Sequence, residues 1–459
     1  MERYDLIVIG GGPGGYLAAQ RAAEGGMKTA LFEKNKLGGT CLNEGCIPTK
    51  TLLHSAKIYE QAKKGESFGV TAETVWFSHS RALERKDRVV KTLVSGIEAA
   101  MKRKKVTVIS EQAMLVGKTE DAFEVQAGTA YYTAGKVVLA TGSEAALPEI
   151  PGLKEAVEGG FAVTSREILQ ERELPDKLVI VGAGAVGLEF AAYFAALGVE
   201  VSVAELQDQI AGRADKEISA LLKKALEKKG IRFYLRCKAA RITERGLYYE
   251  KEGREELLAA DKILLSMGRK PRLRKTGIWN VGLEAERGRI RTDSHMETSV
   301  KGLYAVGDVN GESMLAHTAY REAEAAVHHM RGIEDEVDYA RIPAVIYTSP
   351  EAAWIGETKE SAEEKGISVV TAKLPMIYAG RFAAENEGTE GICKLAAERE
   401  SGRIVGVHLA GPYASEMIWG IGALMERGTT VEEIKRMVFP HPTVSEIIKE
   451  TAALLSAKR

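Results

Sequence analysis

The sequence predicts an α/β chain with two Rossmann-like dinucleotide-binding domains and a C-terminal α+β domain. Three observations predict it. A strand, glycine turn, helix and second strand occur twice with matched spacing. The 459 residues suffice for about three domains. From about residue 341 the pattern changes, and no further glycine fingerprint appears.

The first copy is DLIVIGGGPGGYLAAQRAAEGGMKTALFEK, with Gly10, Gly12, Gly15 and Glu33 in the dinucleotide pattern. Gly10 allows the tight turn, Gly12 lets a pyrophosphate approach the backbone, and Gly15 lets helix and strand pack closely. The helix N-terminus faces the phosphates, and Glu33 ends the second strand, where it can accept bonds from a ribose diol. The second copy, KLVIVGAGAVGLEFAAYFAALGVEVSVAEL, supplies Gly182, Gly184, Gly187 and Glu205. Gly10 to Glu33 and Gly182 to Glu205 span the same interval, close to the roughly 20 residues expected. An acid at each second strand's end favours free ribose hydroxyls over a 2′-phosphate.

Between the copies, VVLATGS (137–143) reads as a strand entering a Thr-Gly turn. GLYAVGDVNG (302–311) is a strand ending at Gly307 and Asp308, and an Asp there is placed to bind a ligand or simply to make a turn. RIPAVIYTSPEAAWIG and GICKLAAERESGRIVGVHLAG supply the strands of the last domain, with ASEMIWGIGALMERG a helix.

A formal net charge of -1 argues against a dominant nucleic-acid or anionic-membrane role. The run Lys102 to Lys105 follows a helical pattern and reads as cations at a helix C-terminus. The longest apolar stretch, LVIVGAGAVGLEFAAYFAALGVEVSV, carries Glu189 and several glycines, so it reads as strand, turn and helix rather than a membrane span. MERYDLIVIGGG has no secretion-signal pattern, and a cytoplasmic setting is expected.

Two of the four cysteines, Cys41 and Cys46, lie in GGTCLNEGCIPTK, while Cys237 and Cys393 stand alone. A metal site, a structural disulfide, a redox-active pair and chance are the available readings. Near the C-terminus, FPHPTVSEIIKE places His441 between Pro440 and Pro442, with Glu446 following.

Taken together, the two fingerprints, GGTCLNEGCIPTK, ATGS, VGDV, YTSPEAAWIG and HPTVSEII resemble the flavin-dependent pyridine nucleotide-disulfide oxidoreductases over essentially the whole chain. The resemblance implies an FAD domain at 1–148, an NAD domain at 149–268, a return to the FAD domain at 269–340 and a dimerisation domain at 341–459. It implies FAD held by Gly10, Gly12, Gly15, Glu33 and Asp308, with Lys50, Ala316 and His317 near the ring. Ala113, Thr141, Gly142, Ser143 and Gly268 complete the cofactor contacts it implies. NAD would be held by Gly182, Gly184, Gly187 and Glu205, and Glu189 would pair with Lys50. Cys41 and Cys46 would form the redox-active disulfide, with Cys41 facing substrate and Cys46 facing flavin. His441 would be the base and Glu446 its orienting partner, acting across a homodimer interface. The implied reaction oxidises a dihydrolipoyl group on a partner protein of a 2-oxo acid dehydrogenase or glycine-cleavage system and reduces NAD⁺.

The residues themselves bear on these roles. Structural zinc wants four Cys or His ligands, and the other cysteines are single and distant. A structural disulfide is rare in the cytoplasm, and so small a loop constrains the unfolded chain weakly. A redox-active pair fits best. CIPTKTLLHSAKIYEQAKK reads as a helix with Cys46 at its N-terminus, where the dipole is worth about 0.3–1 kcal/mol, up to ~2 when buried. That lowers a thiol pKa by roughly one unit, so a stable thiolate needs further positive charge. TVSE also matches a capping box with Thr443 as N-cap. The rival readings are a glutathione- or mercuric-reductase-like member of the family, and a redox-inactive flavin- or NAD-binding scaffold. Glu44 departs from the family pattern, which is commonly apolar there. A carboxylate pointing inward would oppose thiolate formation, so it is expected to face solvent.

Overall fold

The computed structural model describes residues 1–388 and 390–458. Contacts divide the chain into two compact units. The first comprises Met1–Thr51, Arg81–Leu147 and Met267–Val337, and the second comprises Leu52–Ser80, Pro148–Ser266 and Asp338 onward.

The first unit opens with β1 (Glu2–Ile9), α1 (Pro13–Glu24) and β2 (Thr29–Phe32). Next come α2 (Gly39–Glu44) and α3 (Cys46–Lys63), which carry the two cysteines and of which α3 belongs to the first unit only as far as Thr51, and α4 (His79–Arg103), which belongs to it from Arg81. Then follow β3 (Thr107–Ile109), β4 (Ala113–Lys118), β5 (Phe123–Ala127) and β6 (Ala130–Leu139). The sheet order is β3-β2-β1-β6-β5-β4, and the strand Leu303–Ala305 also pairs with β6. β1 runs parallel to both β2 and β6, while β4, β5 and β6 form an antiparallel ribbon. Leu6 to Ile9 are all buried because both faces of β1 are covered, which is why the run is apolar rather than alternating. As expected, α4 ends on basic residues, Lys102 and Arg103.

Gly10 in the turn after β1 and Gly15 in α1 admit no side chain. Gly10 has φ +109°, and a Cβ there would sit 2.2 Å from the Ala140 carbonyl oxygen. A Cβ on Gly15 would lie 1.7 Å from the Gly10 carbonyl oxygen.

The second unit repeats this design. Its parallel sheet runs Arg232–Leu235, Glu200–Glu205, Lys177–Val181, Lys262–Leu265, Ala162–Thr164. Gly182 has φ +104°, and a Cβ on Gly187 would lie 2.1 Å from the Gly182 carbonyl oxygen. The apolar stretch is thus strand, turn and the helix Ala185–Ala196. Among the described residues, no helix is long and apolar enough to cross a membrane.

The C-terminal part is a five-stranded antiparallel sheet, ordered Ala344–Ile346, Ala352–Gly356, Ile404–Ala410, Ile392–Glu398, Val369–Pro375. Leu395 and Leu409 pack with Phe382, Ile418, Ile447 and Leu455 in one core. The fold class expected from the sequence is the one observed.

One charged cluster is buried in this unit. Asp215 caps the helix Lys216–Glu227 by accepting from the Glu217 amide at 2.9 Å. Its second oxygen accepts from Lys394 Nζ at 2.7 Å, and Lys394 also donates to Glu217 at 3.0 Å. His408 stands across the strand pair from Lys394, with Nε2 3.0 Å from the Glu357 carbonyl oxygen. Burial pushes the Asp215 carboxyl up, but the hydrogen bond and charge of Lys394 outweigh it and leave the pKa below its ordinary value. Burial lowers the pKa of His408.

Both folded pKa values therefore lie below their unfolded ones. Their stabilisation is present at neutral pH and lost as pH falls, His408 acting below about 6.5 and Asp215 below about 3.9. Thermal unfolding midpoints should fall accordingly between pH 7 and 4. Lys394→Met should cost roughly 3–5 kcal/mol in urea unfolding, because it leaves a buried carboxylate unpaired. A native midpoint in that variant would refute the pairing.

Candidate active site

The glycine loops contain a cradle. The fold forbids a side chain at the first and third glycines of each copy, but not at the second. A Cβ on Gly184 would meet nothing within 4 Å, and one on Gly12 only Gly39 Cα at 3.8 Å. Both residues are N-caps with extended backbone, φ −75°, that any residue adopts. Glycine at these two places keeps space clear in front of a helix N-terminus, where a pyrophosphate is held by amides and dipole.

The acids behave alike. Glu33 accepts from the Gly11 amide at 2.7 Å and the Asn35 amide at 2.8 Å. Glu205 accepts from the Ala183 amide at 2.6 Å and the Gln207 amide at 2.8 Å. A carboxylate has about four lone-pair sites, so each keeps capacity for ribose hydroxyls while bracing its glycine loop. The residues present fit two dinucleotides.

The Gly-Gly that precedes Cys41 fixes the cysteine helix onto the first loop. The Gly38 amide donates to the Gly11 carbonyl at 2.8 Å. Gly39 has φ +56°, and a Cβ there would come within 2.6 Å of Gly12 Cα. Cys41 then lies in α2 and Cys46 opens α3, as expected. Both are half-buried free thiols. The Cys41 pKa is pushed well above its ordinary value, first by the hydrogen bond to Cys46, then by burial and the Cys46 charge, with Lys50 acting in opposition. Cys46 stands at a helix N-terminus, which favours negative charge on its sulfur.

Near this pair, Tyr16 and Tyr320 share a hydroxyl–hydroxyl hydrogen bond. Burial, then that bond, pushes the Tyr16 pKa far up, and both rings feel the charges of Cys41 and Cys46. Sequence reasoning had no signal for this contact, because the partners are 304 residues apart.

The Thr-Gly turn after β6 meets the Gly-Asp turn. Ser143–Ala145 pairs with Arg269–Pro271 in a small antiparallel sheet, and Thr141 Oγ1 donates to the Arg272 carbonyl at 2.9 Å. Gly142 and Gly268 hold positive φ on the two sides. Ser143 Oγ donates to Asp308, and Arg269 donates to Ser143 Oγ at 2.6 Å and to its carbonyl at 2.9 Å. The Gly307 amide is held by the buried Glu322 carboxylate. Arg269 and Glu322 were missed by the sequence reading, although GRKPR could have marked the first. Ala113 is buried at the start of β4, Ala316 opens the helix Ala316–Met330, and His317 beside it is exposed.

Glu44, expected to face solvent, is partly exposed and partly buried. In the second unit, Glu189 is 3% exposed, and its carboxylate accepts from the Tyr347 amide at 3.1 Å. Arg236, which the sequence reading passed over, lies 3.6 Å from Asp208 beyond the second acid.

His441 and Glu446 come together. Glu446 Oε1 is 3.0 Å from His441 Nδ1, and its other oxygen accepts from the Thr443 amide at 2.9 Å. The capping-box reading is corrected: the helix begins at Glu446 with Ser445 as N-cap, and Thr443 turns its hydroxyl to Pro440 and Ser445. The Thr443 amide, then His441, holds the Glu446 carboxyl below its usual range.

Comparison with known proteins agrees with this geometry. Residues 4–323 match the pyridine nucleotide-disulphide oxidoreductase family model, and residues 342–452 match the dimerisation domain of the same family. A dihydrolipoyl dehydrogenase of Bacillus subtilis is 37% identical over 99% of this chain and 98% of its own. The mitochondrial dihydrolipoyl dehydrogenase of Pisum sativum is 37% identical over 98% of this chain and 91% of its own. The solved structure of LpdA from Mycobacterium tuberculosis superposes with a TM-score of 0.89 at 25% identity, covering 99% of this chain and all of that one. The chain therefore belongs to the pyridine nucleotide-disulphide oxidoreductase family, and is a flavoprotein enzyme that works with FAD and NAD.

Proposed function

We propose that this chain is a dihydrolipoyl dehydrogenase, oxidising the dihydrolipoyl group of a partner protein and reducing NAD⁺. The observation that carries the reading is the pair formed by Cys41 in α2 and Cys46 at the head of α3, in a chain matched along its length by dihydrolipoyl dehydrogenases. When bound, FAD supplies the two-electron acceptor between the cysteines and the nicotinamide. On this reading residues 1–148 and 269–340 hold FAD, 149–268 hold NAD, and 341–459 make the dimer contact.

The protein's own groups divide the remaining work. In the oxidised enzyme a substrate thiolate attacks Cys41 Sγ and the Cys41–Cys46 bond breaks, leaving Cys46 as the thiolate. The second substrate sulfur then attacks the mixed disulfide, closes the lipoyl ring and releases Cys41. Each attack needs a thiolate, so a base must take the substrate's protons. His441 is that base: Glu446 on Nδ1 fixes the tautomer and leaves Nε2 to accept. Glu33, Asp308 and the first glycine loop position FAD, and Glu205 with the second loop positions NAD. Lys50, Glu189, Ala113, Thr141, Gly142, Ser143, Gly268, Ala316 and His317 are assigned to the cofactor contacts.

The chain is proposed to act as a homodimer in the cytoplasm, with the lipoyl group supplied by a 2-oxo acid dehydrogenase or glycine-cleavage complex. Ile377, Tyr378, Trp419 and Val438 are exposed apolar side chains in the segment matching the dimerisation domain, which supports that assembly.

Anaerobic addition of dihydrolipoamide to the purified holoenzyme should produce a long-wavelength charge-transfer band and, with NAD⁺ present, NADH. A flavin left oxidised would refute the reading. His441→Gln should lower kcat by about 10²–10⁴ with flavin content unchanged. Gly184→Ala should raise the KM for NAD⁺ while the thermal midpoint stays native, because its Cβ enters the cradle and not the fold. Loss of folding in that variant would contradict the open space in front of Gly184.

A further inference from the structure

The corner beyond Glu205 carries two opposed features. An acid at the end of the second strand accepts from a free ribose diol, whereas an arginine close by suits a 2′-phosphate. This chain has both. Strand Arg232–Leu235 runs parallel to Glu200–Glu205, with Leu235 opposite Glu205. Arg236 is the next residue. Its amide donates to the Gln207 carbonyl at 3.0 Å, and the Cys237 amide donates to the Glu205 carbonyl at 2.9 Å. Arg236 is thus fastened to the turn whose Gln207 amide holds the Glu205 carboxylate at 2.8 Å. Its φ of +57° lies in the left-handed region that a residue with a Cβ rarely adopts. These backbone bonds, and not local preference, keep an arginine at this corner.

Asp208 stands against it. It follows Glu205 by three residues, and its Oδ2 is 3.6 Å from the Arg236 guanidinium. The two side chains are 66% and 74% exposed, so the pair neutralises no buried charge. An exposed pair of this kind contributes little to stability. The nearest cation along the same strand, Arg232, is engaged elsewhere, 2.8 Å from Glu200 at the other end of the strand pair. Glu205, Asp208 and Arg236 together carry one net negative charge.

We propose that Asp208 and Arg236 form a second determinant of the preference for NAD over a 2′-phosphorylated dinucleotide. Glu205 meets the ribose diol, and Asp208 occupies the guanidinium that would otherwise take the phosphate. Arginine binds phosphate with its planar fork of N–H donors, so a freed Arg236 supplies what such a ligand needs. Asp208 acts through Arg236 and is therefore a positioning residue.

The inference rests on the assignment of Glu205 and the second glycine loop to NAD. Its test uses FAD-loaded protein and two probes that lack nicotinamide, ADP-ribose and 2′-phospho-ADP-ribose. Their dissociation constants are measured by isothermal titration calorimetry at low salt, where exposed charges are least screened. Asp208→Asn should bind 2′-phospho-ADP-ribose about fivefold more tightly than native protein does, the scale of one exposed charge pair, with ADP-ribose unchanged. Asp208→Glu, which keeps the charge, should match native protein with both probes. Adding Arg236→Ala to Asp208→Asn should abolish the gain.

The proposal fails if Asp208→Asn stays within twofold of native with the phosphorylated probe, or tightens both probes alike. It also fails if Asp208→Glu gains as well. A gain that survives the loss of Arg236 would assign the effect to repulsion by Asp208 alone and overturn the pairing. Native protein that binds ADP-ribose no more tightly than Gly184→Ala does would instead overturn the NAD assignment beneath it.

Discussion

The Gly10 carbonyl oxygen lies where the first side-chain atom of residue 15 would have to be, and the rest of the first unit depends on that contact. It brings α1 down onto the end of β1 until helix and strand touch backbone to backbone. Only then does the helix N-terminus stand at the sheet edge with its free amides outward. The Gly38 and Gly39 backbones rest on the same turn, so the cysteine helix inherits its position from it. The second unit repeats the constraint with Gly182 and Gly187, and the same acid-to-amide brace secures it.

How much of this was legible in the sequence depends on chain distance. The glycine loops, the acids Glu33 and Glu205, and the cysteine helix were readable because each is encoded within about 25 residues, the reach of one βαβ half. His441 and Glu446 were readable as a pair only through the family resemblance, since locally the same residues spell a cap. The structure resolves that ambiguity by giving each carboxylate oxygen its own task. The residues that escaped are those whose partners lie far along the chain. Tyr16 meets Tyr320, and Arg269 meets Ser143, through the sheet's crossover connections, which leave no periodic trace.

The electrostatics of the cysteine motif follow from this arrangement. The hydrogen bond to Cys46, then burial and the neighbouring charge, hold the Cys41 thiol in its protonated form. Helix α3 offers its N-terminus to Cys46, so the backbone favours negative charge on that sulfur before any cofactor or substrate arrives. Two neighbouring phenols that stay neutral add shape and hydroxyl groups without adding charge.

The Asp215–Lys394 contact has a consequence for the growing chain. Its partners are 179 residues apart, so at about 5–20 residues per second Asp215 is synthesised about 10–35 s before Lys394. Until then the capping carboxylate of the helix Lys216–Glu227 has no cation to accompany it into a dry interior, and water must serve instead. The nascent second unit therefore reaches its finished form only when the C-terminal sheet emerges. Its last strands act as the final step of assembly for a helix translated long before them.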